Sequence, residues 1–331
     1  GTLTLDTIDA SHPLVMTTGG LTYHEREVTF NSALRQVNVT NTTASNNLVV
    51  QMASNQTWGS TSLNLTTNGV LDVSNARLSG NSFNITAQGI KGVGSNNVIN
   101  TQLNTLRVVN YGGNGTYGDV RVREADSLNI SLIQADKGKA DVVTLGYSNV
   151  GTITAKSDIT LVSNRTATIN TLLSQQGSIA IDVIGREDML KLTGSARTQS
   201  GGSITLVADD MDFTGGASSI TSTGNLVLHS HSTAQNYRLG TAAESGMGNE
   251  FSSAGPTGYL ELGTRDLTAI GSDFAMVTIG HRLNNGILMF VGDIKNAARF
   301  QNDTTLLSDI VTVGGDVRDD EALNLQAYTL Y

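Results

Sequence analysis

The sequence contains no cysteine and only two prolines among its 331 residues. The lack of cysteine excludes disulfide bridges, cysteine-ligated zinc and thiol catalysis. With so little proline, the 36 glycines do not indicate a collagen or a proline-rich linker. Charged residues make up only 15% of the chain and aromatic residues 5%, while threonine, serine and asparagine are abundant. The many β-branched residues therefore indicate a folded β-protein rather than a disordered chain.

Positive charge and long apolar runs are also scarce. The 20 basic residues are outnumbered by 29 acidic ones, which gives a net charge of -9. Such a field repels nucleic acid and anionic lipid, so no nucleic-acid partner is predicted. The longest apolar run, residues 286–291, is far shorter than a membrane span. No membrane-spanning segment is predicted.

A short pattern of alternating apolar and polar residues returns along the chain. It occurs at residues 62–66 (SLNLT) and again at 82–86 (SFNIT), with a spacing of 20. It returns at residues 178–181, 203–206 and 225–228, with offsets of 25 and 22. Strict alternation directs one face of a strand into a core and the other to solvent. Glycine and asparagine between these segments suit tight corners.

Repeats of this length predict a solenoid in which each coil buries its apolar face against the next. The expected fold is an all-β, right-handed parallel β-helix with about 20 to 22 residues per coil and about fifteen coils. Small and β-branched residues, which suit a narrow interior, favour this fold over a β-sandwich array, the alternative. Asparagines at corners are expected to stack as a hydrogen-bonded ladder.

The texture of the sequence changes near residue 236. We expect regular coils over residues 1–236, and coils with longer loop excursions of the same continuous solenoid over residues 237–331. The best helical signal starts at Arg265 and continues to Phe274, where Asp266 is a candidate cap for a turn or two of helix. Long loops at residues 241–257 and 281–300 are the expected contact surfaces.

Two repeats, residues 202–208 (GSITLVA) and 223–228 (TGNLVL), resemble the coils of filamentous-haemagglutinin-like bacterial surface proteins. The stretch from residue 265 to residue 280 is similar to segments of very large repetitive surface proteins of Gram-negative bacteria. The resemblance implies a secreted β-helical stalk or adhesin without catalytic residues. The start at Gly1, together with the repeats, indicates an extracellular or cell-surface protein of which this chain is one piece. Its ends are then expected to continue as further coils, to be capped or to self-associate.

Three carboxylates are the candidates for an alternative, catalytic function. Asp209, Asp210 and Asp212 cluster just after a strand, and hydrolysis of a glycan by an inverting mechanism needs two carboxylates with room for water. The alternative function is therefore a β-helical carbohydrate-active enzyme or a phage tailspike-like polysaccharide depolymerase. The only His-containing match to a polygalacturonase-like pattern is Gly280-His281-Arg282, and the remaining elements are missing. The prediction is no enzyme, with this class as the runner-up.

Two histidines, His229 and His231, stand two residues apart and are the only candidate metal pair. No third ligand at a suitable spacing accompanies them, so two solvent-facing strand residues are the preferred interpretation. The acidic run at residues 319–321 is interpreted as a solvated loop, with a calcium site as the alternative both there and at Asp209, Asp210 and Asp212. Neither a cofactor nor a metal is predicted.

Two further interpretations concern single side chains and partners. Trp58 is expected to be buried, and Arg107, Arg121 and Arg123 are expected to pair with acids among Asp119, Glu124 and Asp126. The candidate partners are a glycan, a host surface or a sister cell surface.

Overall fold

The computed structural model describes residues 2–6, 14–17, 20–23, 26–29, 35–41, 50–52, 56–112, 117–186, 188–233, 235–240, 259–282, 286–292, 298–319 and 321–331. These residues form an all-β parallel solenoid of about 11 turns with almost no helix. The predicted fold class is thereby confirmed, while the count of about fifteen coils is not. The right-handed sense of the coil stays a prediction.

The chain divides into two compact units, residues 1–161 and residues 162–331. The change of texture after residue 236 falls inside the second unit, and its role as a boundary stays a prediction. The strands described in the first unit are β1 (Thr2–Asp6), β2 (Leu14–Thr17), β3 (Gly20–Tyr23), β4 (Arg26–Thr29), β5 (Gln36–Asn41), β6 (Val50–Met52), β7 (Gln56–Thr57), β8 (Ser62–Thr67), β9 (Val70–Asp72), β10 (Arg77–Ala87), β11 (Gly89–Lys91), β12 (Val98–Asn110), β13 (Val120–Glu124), β14 (Leu128–Ala135), β15 (Ala140–Thr144) and β16 (Ser148–Ala155), and β17 (Ile159–Ser163) contains the boundary.

Two apolar columns lie in the core of the first unit, and each consists of buried residues paired in register on successive coils. The first column is Val37, Leu63, Phe83, Leu106, Ile130 and Val150. The second column is Val39, Leu65, Ile85, Val108, Ile133 and Ile153. Each such side chain contributes about 1.5 to 3 kcal/mol of burial. The alternating segments at 62–66 and 82–86 therefore stack as predicted.

Trp58 extends this core at its edge. Its side chain is buried and meets the ring of Phe83 edge-on, with 6.2 Å between the ring centroids. The prediction of a packing role for Trp58 is confirmed.

An antiparallel excursion in the first unit was not predicted. Strand β3 pairs antiparallel with both β2 and β4, while β2 also pairs in parallel with β6. Only two residues separate β2 from β3 and β3 from β4, a length typical of hairpin connections. The hairpins are compatible with the solenoid because one strand, β2, still pairs with the coil strand β6.

The second unit has the same build. Its strands are β18 (Ala167–Ser174), β19 (Ile179–Val183), β20 (Met189–Thr198), β21 (Ile204–Val207), β22 (Asp210–Phe213), β23 (Ile220–Thr221), β24 (Asn225–His229), β25 (Asn236–Leu239), β26 (Tyr259–Leu262), β27 (Met276–Gly280), β28 (Leu288–Val291), β29 (Ala298–Phe300), β30 (Thr304–Leu307), β31 (Ile310–Val313), β32 (Val317–Asp319), β33 (Leu323–Gln326) and β34 (Thr329–Leu330). One of its columns, paired in register, is Ile181, Leu206, Leu228, Ile279, Leu306 and Leu325.

Coil length explains why there are fewer turns than predicted. Leu226 pairs with Ile204 on the preceding coil but with Val277 on the following one, so this coil is more than twice as long as predicted. Strands β25 and β26 and the helix lie within it. The predicted count assumed 20 to 22 residues in every coil. A coil that contains additional strands and a helix uses more residues, so fewer coils fit into the chain.

The helix is α1 (Thr264–Ala269), and Asp266 lies in its first turn rather than at its N-cap. The Asp266 carboxylate accepts hydrogen bonds from the backbone amides of Gly263, at 3.0 Å, and Phe213, at 2.7 Å. It therefore satisfies one free amide at the helix start and one on β22. The predicted short helix is confirmed, and the role of Asp266 extends to fixing the helix onto a strand.

Candidate functional sites

The three candidate catalytic acids make separate structural contacts. Asp209 is buried, and its carboxylate accepts hydrogen bonds from the backbone amide and the hydroxyl of Ser232. Asp210 is also buried and accepts a hydrogen bond from the Met211 amide at 2.9 Å. Through these contacts, Asp209 and Asp210 stabilise the backbone near the start of β22.

Asp212 forms ion pairs with two cations. Lys191 lies 3.3 Å from one of its carboxylate oxygens, and Arg265 of α1 binds the other. Their side chains are 40% and 38% exposed, so each ion pair is worth at most about 1 kcal/mol. The main effect of Asp212 is to hold α1 over β22.

The two histidines of the candidate metal pair contact different partners. Nδ1 of His231 lies 2.8 Å from a carboxylate oxygen of Asp182, whereas Nδ1 of His229 lies 2.8 Å from the carbonyl oxygen of Ser230. His229 instead faces His281, with 5.7 Å between ring centroids in an edge-on arrangement. Within the described ranges, no group of three or more potential ligands could hold a metal ion.

His281 belongs to a buried polar network that the spacing of the sequence did not predict. Its Nδ1 lies 3.2 Å from the hydroxyl of Tyr237, which lies 2.9 Å from the hydroxyl of Ser230. Burial raises the pKa of Tyr237 to about 12. Burial, and then the neighbouring His229, lower the pKa of His281. At neutral pH, His281, Tyr237 and Ser230 are therefore uncharged. Their hydrogen bonds connect β24, β25 and β27.

A cleft on the first unit combines concavity with a buried carboxyl group. It has a volume of about 670 Å³, and its lining includes Arg77, Asn100, Arg123, Glu124 and Leu145. We call it the Glu124 cleft. Ligand sites occupy about 300 to 1,000 Å³, so its size is that of a binding site.

Glu124 is the last residue of β13 and points inward. Its side chain has the same phase as those of the buried residues Val120 and Val122. One carboxylate oxygen accepts a hydrogen bond from the Leu103 amide at 3.0 Å, and the other accepts one from the Ala125 amide at 2.8 Å. The phase of the alternation in VRVRE is the signal that identifies Glu124 as buried.

Burial raises the pKa of Glu124 to about 7, and the carboxylate of Asp126, which shares a hydrogen bond with it, adds to the increase. The amide of Leu103 and the side chain of Thr101 act in the opposite direction. A carboxyl group with such a pKa in a cleft is an arrangement typical of functional acids.

The arginines near the cleft are paired in part as predicted. Arg121 pairs with Asp119 at 2.8 Å, which confirms the prediction. Arg123 pairs with Asp141 on the next coil, at 2.9 and 3.1 Å, rather than with an acid of its own corner, and Arg107 donates to the amide oxygen of Asn84. Arg107 and Arg123 thus bind side chains on neighbouring coils, and such partners cannot be identified from proximity in the sequence.

The raised pKa of Glu124 has a consequence for stability. The carboxyl has an ordinary pKa of 4.5 and a pKa of about 7 in the folded chain. As the pH rises from about 4.5 to about 7, the unfolded chain ionises first, so this group progressively lowers the free energy of unfolding. The free energy of unfolding of Glu124→Gln, relative to that of the wild type, should therefore rise by up to about 3 kcal/mol between these pH values. Above them it should rise no further.

Urea unfolding at pH 5, 6, 7, 8 and 9 measures this difference. Glutamine cannot accept all of the hydrogen bonds that Glu124 accepts, and this loss lowers the free energy of unfolding of the variant by the same amount at every pH. It therefore cancels when the difference between variant and wild type is compared between pH values. A difference that stays constant from pH 5 to pH 7 would contradict the assignment of a raised pKa.

Other sequence predictions fall wholly or partly outside the described residues. The loop at 241–257 lies outside them, as do residues 283–285 and 293–297 of the second predicted contact loop and residue 320 of the acidic run. Among the residues that the structure describes, no helix has both the length and the hydrophobicity to cross a bilayer.

Comparison with known proteins gives no relative for this chain. No protein-family model, no curated protein and no solved structure matches it. The coils, the outward side chains and the clefts are therefore the basis on which a function is assigned.

Proposed function

We propose that this chain is a structural and adhesive segment of a large secreted bacterial cell-surface protein, of the filamentous-haemagglutinin-like kind. The observation that carries the proposal is the outward face of the first unit, where asparagine side chains connect successive coils. The amide of Asn64 donates to the side-chain oxygen of Asn38 at 2.8 Å. On later coils the amide of Asn149 donates to Asn129 at 3.1 Å.

Such asparagine pairs add side-chain hydrogen bonds to the backbone hydrogen bonds that already join the coils. Successive asparagines stand about 4.8 Å apart, the distance between neighbouring strands. They lie on strand faces rather than only at corners, which differs from the sequence expectation. A rigid, repetitive face that displays amides and hydroxyls suits a stalk and a contact surface for glycans or for another cell.

The contacts of the predicted acids also support a structural function. Asp209 supports the corner at Ser232, and Asp212 holds Arg265 of the helix. Both carboxylates have protein partners that explain their presence.

The location is tested on the cells that make the protein. Antibodies against the purified chain are expected to label intact cells, and brief protease treatment of intact cells is expected to remove the label. Labelling that needs permeabilised cells would contradict a surface location. For the adhesive function, beads coated with the chain should retain these cells better than beads coated with albumin, and equal retention would contradict it.

The second candidate function is that of a carbohydrate-active enzyme or a tailspike-like depolymerase, and the observation that favours it is the Glu124 cleft. A carboxyl group with a pKa of about 7 is suited to act as a general acid near neutral pH. The acid of such an enzyme would then be Glu124 rather than Asp209, Asp210 or Asp212.

A panel of polysaccharides, assayed for new reducing ends and for unsaturated products, separates the two candidates. The structural function predicts no product with any polymer. Product formation that is lost in Glu124→Gln but retained in Asp210→Asn would establish the enzyme and overturn the first proposal.

A further inference from the structure

The Glu124 cleft extends over successive coils of the first unit. Arg77 pairs in register with Asn100, Asn100 with Arg123, and Arg123 with Val143, so these four lining residues form one column on four coils. Neighbouring strands are about 4.8 Å apart, so the column is about 14 Å long. The cleft therefore suits an extended ligand that lies along the stacking direction.

The charged groups of the lining are occupied by contacts within the protein. Arg123 donates to the carboxylate of Asp141 at 2.9 and 3.1 Å, and Arg77 also has an interaction within the chain. The Glu124 carboxylate accepts hydrogen bonds from two backbone amides. The described lining therefore offers no free charge, and a charged ligand would lose hydration there without gaining a partner.

The polar groups that remain for a ligand are two side-chain amides. Asn75 is exposed, and Asn100 is half-buried in the column. Within the described part of the chain, neither side chain has a hydrogen-bond partner. An amide side chain both donates and accepts hydrogen bonds, and so does a hydroxyl group. The two amides are therefore complementary to a ligand rich in hydroxyls.

The rest of the lining is largely apolar. Val93 and Val143 are half-buried, and Leu145 is 57% exposed. An apolar wall beside amides is complementary to a sugar ring, which has an apolar face and a rim of hydroxyls. A hydrocarbon chain would cover the wall but would leave the amides of Asn75 and Asn100 without partners.

The strands beneath the cleft do not offer a backbone edge to a peptide. Strand β12 pairs with β10 on one side and with β13 on the other, and β13 also pairs with β15. A peptide that binds by strand addition needs a free sheet edge. Recognition in this cleft therefore depends on the side chains of the lining.

We propose that the Glu124 cleft binds an uncharged oligosaccharide, with Asn75 and Asn100 binding ring hydroxyls and Leu145 covering a ring face. The inference rests on the proposed adhesive function, because it names the chemistry of one partner. The chain of sugars lies along the stacking direction and spans several coils.

Calorimetric titration of the full chain tests the proposal with hexamers of β-1,4-linked glucose, β-1,4-linked mannose and α-1,4-linked glucose. At least one should bind, and its affinity should change less than about twofold between low and high salt, because no ion pair forms with the ligand. The hexamer of β-1,4-linked glucuronic acid, which adds a carboxylate to each ring, should bind at least tenfold more weakly than the best neutral hexamer.

Two matched variants locate the site. Asn100→Ala should weaken binding of the best neutral hexamer at least tenfold. Asn104→Ala makes the same change on the same strand, at an exposed position outside the cleft, and should leave the affinity unchanged. Leu145→Ala shortens an exposed side chain of the apolar wall and should also weaken binding.

Three results would overturn the proposal: no binding of any neutral hexamer, equal binding of the glucuronic acid hexamer, or equal losses in Asn100→Ala and Asn104→Ala. Circular dichroism shows whether the variants are folded. If Asn100→Ala is not folded, Leu145→Ala decides, and an unchanged affinity in that variant would overturn the proposal.

Failure of this inference is distinguishable from failure of the proposed function. Cells retained on coated beads without any binding of the hexamers would leave the adhesive function in place and remove this ligand. Binding of a hexamer by a chain that is not found on the cell surface would do the reverse.

Discussion

Replacing Gly202 with alanine is expected to lower the free energy of unfolding by about 3 kcal/mol or more, because the added methyl group has no room. Gly202 lies at a corner before β21, where the coil passes close to the preceding one. A Cβ at this position would overlap the carbonyl oxygen of Gly177, which is backbone and cannot rotate away. The two coils would have to separate locally, with loss of the hydrogen bonds between them.

The matched control is Gly216→Ala. Gly216 has a φ of 93°, and a Cβ there would meet nothing within 4 Å. The free energy of unfolding of Gly216→Ala is therefore expected to fall by only about 1 to 2 kcal/mol, the cost of placing an alanine in the left-handed region. Urea unfolding of both variants measures the two losses. Equal losses would contradict close approach of the coils at Gly202.

Replacing Leu206 with alanine is expected to cost about 3 kcal/mol, within the range of about 2 to 5 kcal/mol found for buried leucines. Leu206 is fully buried and lies in register between Ile181 on the preceding coil and Leu228 on the following one. The cavity would be enclosed on both sides by coils that are fixed by backbone hydrogen bonds, so little relaxation is expected.

Thr205→Ala is the control for this variant, since Thr205 is adjacent in sequence but faces outward on the same strand. Its loss is expected to stay within about 0.5 kcal/mol. The midpoint of urea unfolding gives both values. A larger loss for Thr205→Ala than for Leu206→Ala would reverse the assignment of inward and outward faces.

The stacking could be predicted from the sequence because the alternation carries it directly. Leu63 and Leu65 are buried and Ser62, Asn64 and Thr66 are not, as the pattern at 62–66 requires. Register also followed, since the spacing of 20 places Ser62 opposite Ser82. The hairpins around β3 were missed because short alternating segments look the same whether their neighbours run parallel or antiparallel.

The candidate sites could not be predicted to the same extent. The partner of Asp209 is Ser232, which belongs to a later corner, and no local sequence pattern predicts such a contact. Glu124 was assigned to an arginine partner because of its charge, although its phase with Val122 indicated burial. A charged residue in phase with buried valines is therefore the signal that should take priority.

The most direct test of coil-on-coil stacking uses the absence of cysteine, which allows unique spin labelling. Asn64 and Arg107 lie in one column with Asn84 between them, so their backbones should be about 10 Å apart. In a chain with both Asn64→Cys and Arg107→Cys, nitroxide labels are predicted to show strong dipolar broadening. A spectrum equal to the sum of the two singly labelled variants would contradict the stacked parallel coils.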